Sequence, residues 1–68
     1  MSIDQKKFCA DLILTDAIMD MAEEEGIPWQ EARRRIINSE AYTALYNFET
    51  GLWANGPDYF RDYYSKIA

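Results

Sequence analysis

The segment from Ser2 to Gly26 constrains the fold most, because its residues mark both ends of one long helix. Ser2 and Gln5 have the spacing of a capping box at a helix N-terminus. Gly26 suits the left-handed position just past a helix C-terminus. These signals predict a helix from about Ile3 to Glu25 in a chain of 68 residues.

The apolar residues of this predicted helix lie on two of its sides. At about 100° per residue, one stripe consists of Phe8, Leu12, Met19 and Ala22. The second stripe consists of Ile3, Ala10, Leu14, Ala17, Ile18 and Met21. A helix that is apolar over more than half of its circumference is packed on two sides. We therefore expect a central helix, a subunit interface, or both.

Three shorter helices fit downstream of the first. Pro28 suits the first position of a second helix. Ser39 is a good N-cap for a third helix from about Glu40 to Thr50, and the turn Asn55-Gly56-Pro57 precedes a last helix. No segment shows the sustained alternation of a half-buried strand. The sequence predicts a single all-α domain, residues 1–68, folded as a compact small bundle of about four helices.

The large side chains of the shorter helices fall on predicted inner faces. These faces are Trp29, Ala32, Ile36 and Ile37 in the second helix, and Ala41, Ala44, Leu45 and Phe48 in the third. In the last helix, one arc holds Tyr59, Phe60, Tyr63, Tyr64 and Ile67. Arg61 is predicted on the opposite, outward side of that helix. We expect Trp29 and Phe48 to be core anchors, and Trp53 and Phe60 to be core residues.

The charge and the absence of histidine exclude several classes of function. Twelve Asp and Glu against seven Lys and Arg give a net charge of −5, which disfavours binding to nucleic-acid phosphates. Without histidine, neither a Ser-His-Asp nor a Cys-His catalytic arrangement can be assembled, and zinc sites of several cysteines and histidines are excluded. We therefore expect no enzyme activity, no cofactor and no small-molecule substrate.

Cysteine usage and hydropathy indicate the compartment. The single cysteine, Cys9, cannot close an intramolecular disulfide, and we interpret it as an inert, buried side chain. The longest apolar run, Leu12 to Leu14, is too short to span a bilayer, and the start of the chain has no secretory signal. We expect a cytoplasmic protein with no membrane partner.

Carboxylates form a stripe along the first helix at Asp16, Asp20 and Glu23 or Glu24. Such a stripe could bind Mg²⁺ or Ca²⁺ or supply an acid–base pair. It could also be a solvent-exposed face. Because no ligand motif accompanies these residues, we expect the exposed face.

One basic run, Arg33-Arg34-Arg35, stands out in the second helix. It could contact phosphate or an acidic partner. Successive helical residues point in different directions and so form no single patch. We expect Arg33 to lie over Trp29 or to pair with Glu24 or Glu25.

Several short motifs carry a resemblance to known proteins. They are Glu25-Gly26-Ile27-Pro28, Gln30-Glu31-Ala32, Leu45-Tyr46 and Gly56-Pro57-Asp58-Tyr59. With the long first helix, they make the stretch from Phe8 to Ile67 resemble a group of short bacterial helical proteins of unassigned function, often encoded beside toxin genes. The resemblance implies a helical fold and an antitoxin-like partner role, without a mechanism or a site.

The two-sided first helix and the tyrosine-rich last helix favour a protein–protein interaction module, since tyrosine is enriched where surfaces meet. The expected partner is a second copy, in a homodimer, or another protein. The predicted interaction surface consists of Ile3, Leu14, Ile18, Met21, Tyr59, Tyr63 and Tyr64. In the rival arrangement, the last helix folds back over the second stripe and the chain is a monomer.

Two other functions rank below this one. The alternative is a nucleic-acid-binding regulatory protein with a helix-turn-helix-like segment around residues 20–37, in which only the arginine run supplies positive charge. The third is an enzyme or metal-binding domain built on the acidic stripe. It ranks last because so short a chain can scarcely enclose a pocket of about 300 Å³.

Overall fold

Four α-helices form the structure, a computed structural model that describes residues 2–67. They are α1 (Ile3–Glu25), α2 (Trp29–Ile37), α3 (Glu40–Tyr46) and α4 (Gly56–Ile67). Two 3₁₀ turns, Phe48–Thr50 and Leu52–Ala54, lie between α3 and α4. No strand occurs among the described residues. The predicted all-α bundle with a long first helix is confirmed.

Both ends of α1 are capped as the sequence predicts. The Ser2 hydroxyl accepts a hydrogen bond from the Gln5 amide at 3.2 Å, and the Ser2 amide donates to the Gln5 side chain at 2.9 Å. Gly26 follows the helix with a φ of 63°, a left-handed conformation that costs glycine little. Its amide donates to the Ala22 carbonyl. These local interactions set the length of α1.

The start of α2 differs by one residue from the prediction. Pro28 is the N-cap, with extended backbone at ψ 150°, and Trp29 is the first helical residue. The Pro28 carbonyl accepts hydrogen bonds from the amides of Glu31 and Ala32, at 3.1 Å each. Proline fits this position because its fixed φ is compatible with both the turn and the helix.

The third helix is shorter than the predicted Glu40–Thr50, because α3 ends at Tyr46. Asn47 leaves the helical conformation, and its side chain accepts a hydrogen bond from the Glu49 amide at the start of a 3₁₀ turn. The Thr50 hydroxyl lies 2.8 Å from the Ala44 carbonyl, which the helix leaves unpaired. Asparagine and threonine side chains thus replace the continuing helix with a tight turn.

The core lies between α1 and the other elements. Its buried residues are Ala10, Ile13, Ala17, Ile18, Met21, Ala32, Ile36, Ala41, Leu45, Leu52 and Phe60. Four of them are alanines, which let neighbouring helix backbones approach closely. Phe60, Ile36 and Leu45 are the largest fully buried side chains, so one residue each from α4, α2 and α3 fills the space beside α1.

Several predicted core residues lie elsewhere. The prediction that Trp29 is a core anchor is wrong, because its side chain is 52% exposed at the start of α2. Phe48 and Trp53 are half-buried and pack against the core, with ring centroids 6.5 Å apart, while Phe60 is fully buried as predicted. Ile67 is exposed at the end of α4.

The outward placement predicted for Arg61 is also wrong. Its guanidinium donates a hydrogen bond to Glu24 at 2.7 Å and lies 3.8 Å from Asp20. Both carboxylates belong to α1, so Arg61 joins α4 to α1 beside the core. An arginine can do this from the edge of a packed face because its long side chain reaches along the surface.

Within residues 2–67, none of the helices is both long and apolar enough to cross a membrane.

Candidate functional site

The predicted interaction surface does not exist as one exposed face. Ile18 and Met21 are buried in the core, and Leu14 is half-buried against it. The side of α1 that carries them is covered because α2, α3, α4 and the second 3₁₀ turn all contact this helix. Ile3 is exposed at the start of α1. The placement of Ile18 and Met21 in an interface between chains is therefore wrong.

The three predicted tyrosines of α4 differ in exposure. Tyr59 is exposed, whereas Tyr63 and Tyr64 are half-buried and pack against the core. The helix that carries them, α4, contacts both α1 and α3. The rival arrangement, in which the last helix covers the second apolar stripe, matches this packing.

Three of the four residues of the other apolar stripe of α1 face outward, whereas Ala22 packs against the core. Phe8, Leu12 and Met19 are 63%, 51% and 57% exposed, and Trp29 at the start of α2 is 52% exposed. We name these four residues the outer stripe. Phe8, Leu12 and Met19 share one face of α1, since residues four and seven apart lie on the same side of a helix. The buried Ala10 and Ala17 lie on the opposite face, about half a turn away. Large apolar side chains grouped on one surface are typical of a binding surface.

A groove runs beside the outer stripe between α1 and α2. Its volume is about 240 Å³, and it is lined by Leu14, Thr15, Ile18, Met19, Trp29 and Arg33. This volume is below the range of about 300–1,000 Å³ that is usual for small-molecule pockets. It is suited to a single apolar side chain, which is how interface anchors are commonly held.

Arg34 and Arg35 of α2 form ion pairs with nearby carboxylates. Arg35 pairs with Glu25 at 3.0 Å and with Glu31 at 2.9 Å, and Arg34 pairs with Glu31 at 2.6 Å. The hydrogen bond from Arg34 and then that from Arg35 lower the pKa of Glu31 to about 2. Of the two arrangements predicted for Arg33, pairing with Glu24 or Glu25 does not occur within residues 2–67, because Arg35 pairs with Glu25 instead. Arg33 lines the groove together with Trp29.

Arg61 likewise lowers the pKa of one carboxylate in the acidic stripe of α1. Its hydrogen bond and its charge lower the pKa of Glu24 below the ordinary value. Asp20 shares this guanidinium, whereas Asp16 and Glu23 have no arginine or lysine partner in the part of the chain described. The stripe is therefore divided between an ion-pair network on one side and open carboxylates on the other.

The remaining sequence candidates are the single cysteine and the groups of carboxylates. Cys9 is a free, half-buried thiol. Among residues 2–67, no three Cys, Asp or Glu side chains are grouped to hold a metal ion. Lys6 lies 5.4 Å from the centre of the Trp53 ring and forms a cation–π contact there. This contact between Lys6 and Trp53 stabilises the fold.

The sequence groups Phe8, Leu12 and Met19 of the outer stripe but does not show that they face outward, and it places Trp29 in the core. Alanines distinguish the two sides: Ala10 and Ala17 are fully buried on the side where helices pack closely, and Phe8 and Leu12 are large. Ile13 belongs to neither predicted stripe and is nevertheless buried. The arrangement offers an apolar surface with a shallow groove, which can bind another surface.

Comparisons of the chain with protein-family models, with curated proteins and with solved structures find no match.

Proposed function

We propose that this chain is a protein–protein interaction module that binds its partner through the outer stripe. The observation that carries the proposal is the half-exposed state of Phe8, Leu12, Met19 and Trp29 on one surface. Burying such side chains against a partner gains about 25 cal/mol per Å² of apolar surface removed from water. Methionine and tryptophan are also common in binding surfaces, methionine because it adapts its shape.

The fold supports this use of the outer stripe. α1 is held from within by the core and by Arg61, so its outer side presents a preformed platform of about three helical turns. A preformed surface loses less conformational entropy on binding than a flexible one. An antitoxin-like role, as the resemblance implies, would be one instance of such binding.

We do not extend the proposal to nucleic acid. Of the three arginines in the helix-turn-helix-like segment, Arg34 and Arg35 already pair with Glu31, which leaves Arg33 alone at the groove. Recognition of a duplex needs cationic side chains that are available to phosphates.

Photo-crosslinking in cells tests the proposal. A photoreactive p-benzoylphenylalanine replaces Phe8 or Met19, and a matched control replaces Asp62 on α4. We expect one adduct of defined mass from positions 8 and 19, its absence from position 62, and its loss when Leu12→Asp is added. Equal adducts at all three positions, or none at 8 and 19, would contradict the proposal.

A further inference from the structure

The charges around the outer stripe are unbalanced. At about 100° per residue, Asp4 and Asp11 fall on one side of the stripe, and Asp16 and Glu23 fall on the other. All four are exposed, and we name them the flanking carboxylates. In the part of the chain that the structure describes, none of them pairs with a lysine or arginine. Asp11 accepts a hydrogen bond from the Tyr46 hydroxyl, which leaves its negative charge in place.

The other carboxylates in the second half of α1 are neutralised by the rest of the fold. Asp20 and Glu24 pair with Arg61, and Glu25 pairs with Arg35. Lys6, a cation of α1 itself, is placed over the ring of Trp53 and away from the stripe. The fold thus pairs these carboxylates with arginines and leaves the flanking carboxylates without an arginine or lysine partner within residues 2–67. Lys7 is exposed beside Asp4 and Asp11 on the helix, so the surplus of negative charge is greatest at Asp16 and Glu23.

We infer that the segment bound by the outer stripe is a cationic amphipathic helix. Its apolar side lies on the stripe, and its lysine or arginine side chains reach the flanking carboxylates. This inference rests on the proposed function and names the chemistry of the partner. Charge complementarity of this kind steers association and discriminates against wrong partners.

The dimensions of the surface agree with a helical partner. From Phe8 to Met19 the stripe spans about 17 Å at about 1.5 Å per residue, which three turns of a helix cover. Helices that dock in this way use apolar anchors spaced three or four residues apart. One such anchor would enter the groove that Met19, Trp29 and Arg33 line.

A second copy of the chain fits this surface less well. A two-fold pairing of outer stripes would bring the flanking carboxylates together, four from each chain. Arg33 is the cation that lines the groove beside the stripe. Each chain also carries a net charge of −5, so like charges would oppose the apolar gain.

Three synthetic helical peptides test the inference by isothermal titration calorimetry with the whole protein. The first has a leucine stripe flanked by lysines, the second has the same stripe flanked by glutamates, and the third has the first composition in scrambled order. We expect the first to bind at least about tenfold more tightly than either of the others, because the second brings like charges together and the third lacks the apolar face. Its affinity should fall as the salt concentration rises, because salt screens exposed charges.

Matched variants locate the effect. The double variant Asp16→Asn, Glu23→Gln should weaken binding of the lysine peptide by about threefold to tenfold, the range for losing two exposed charge pairs. The control double variant Asp58→Asn, Glu49→Gln removes the same charge elsewhere and should leave the affinity unchanged. Equal effects of the two double variants would show only a general attraction of opposite charges and would overturn the inference.

Other outcomes separate this inference from the proposed function. If adducts form at positions 8 and 19 but the glutamate peptide binds as tightly as the lysine peptide, the cationic partner is wrong and the binding surface stands. Sedimentation equilibrium that gives twice the chain mass of 8.0 kDa at tens of micromolar, with loss of the dimer in Leu12→Asp, would assign the stripe to a second copy and overturn the inference. Absence of adducts would remove the proposed function itself.

Discussion

The Tyr46 hydroxyl donates a hydrogen bond to the carboxylate of Asp11, and so fastens the end of α3 to α1 across 35 positions of sequence. The Tyr46 ring also lies 5.0 Å from Tyr42 and 6.4 Å from Phe48, centroid to centroid. Burial, followed by the hydrogen bond to Asp11, raises the pKa of the Tyr46 hydroxyl well above its ordinary value. The fold therefore favours the protonated phenol, which is the form that can donate.

Tyr46→Phe should lower the free energy of unfolding near neutral pH by about 0.5–1.5 kcal/mol, the usual net value of one hydrogen bond. Urea unfolding followed by circular dichroism measures this change. Tyr59→Phe is the control, because Tyr59 is exposed and its hydroxyl has no hydrogen-bond partner within residues 2–67. An equal loss in both variants would contradict the assigned role of Tyr46.

Alkaline pH should remove the stability that the Tyr46 hydroxyl adds relative to phenylalanine. The pKa of this group is raised in the folded chain above its ordinary value of 10.0, so its stabilisation is complete below about pH 10 and declines as pH rises towards the folded pKa. The difference in unfolding free energy between the wild type and Tyr46→Phe should therefore be smaller at about pH 11 than at about pH 9. A difference that grows over this interval would contradict the raised pKa.

Acid titration tests the ion pairs of α2. The pKa of Glu31 is lowered from 4.5 to about 2 in the folded chain. Its stabilising effect is therefore present above about pH 4.5 and is lost as pH falls through about 2. We expect the carboxyl carbon of Glu31 to titrate near 2 by NMR, and Arg34→Gln to raise this midpoint. The lowered pKa of Glu24, which depends on Arg61, should not change in that variant.

The parts of the fold that the sequence predicts best are those fixed by near neighbours. The bounds of α1 follow from Ser2, Gln5 and Gly26, whose interactions span only a few residues. The end of α3 depends on the turns that follow it. The Trp53 indole donates a hydrogen bond to the Phe48 carbonyl at 2.8 Å, and the Thr50 hydroxyl donates one to the Ala44 carbonyl in the last turn of α3. These contacts exist only once the 3₁₀ turns have packed, so periodicity extends the helix too far.

In the candidate site, too, the sequence predicts what near neighbours fix and does not predict what depends on distant residues. Periodicity identifies two apolar stripes on α1, but which one becomes buried depends on where α2, α3 and α4 pack. Arg61 illustrates the reason, because its pairing with Glu24 joins residues 37 positions apart. A pattern within one helix carries no information about such a partner.

The burial of two aromatic residues predicts a large loss of stability for one substitution and a small loss for the other. Phe60→Ala should destabilise the chain by about 3–5 kcal/mol, because Phe60 is fully buried and its removal leaves a cavity. Trp29→Ala should cost about 1 kcal/mol or less, because Trp29 is half-exposed. Thermal unfolding of both variants measures the contrast. A cooperative transition in Phe60→Ala close to that of the wild type would show that the core is assigned incorrectly.

Leu12 and Ile13 are adjacent in α1, and the same substitution should destabilise the chain far more at Ile13 than at Leu12. Leu12 belongs to the outer stripe, whereas Ile13 is only 5% exposed and lies in the core. Because successive helical residues point about 100° apart, glutamine at position 12 meets water and glutamine at position 13 meets the buried side of the helix. Ile13→Gln should therefore cost about 3 kcal/mol or more, and Leu12→Gln should leave the melting temperature within a few degrees of the wild type. The two variants share the same helix and the same new side chain, so differences in helix propensity are small. If Leu12→Gln unfolds the chain as Ile13→Gln does, the outer stripe is part of the core and cannot be the binding surface.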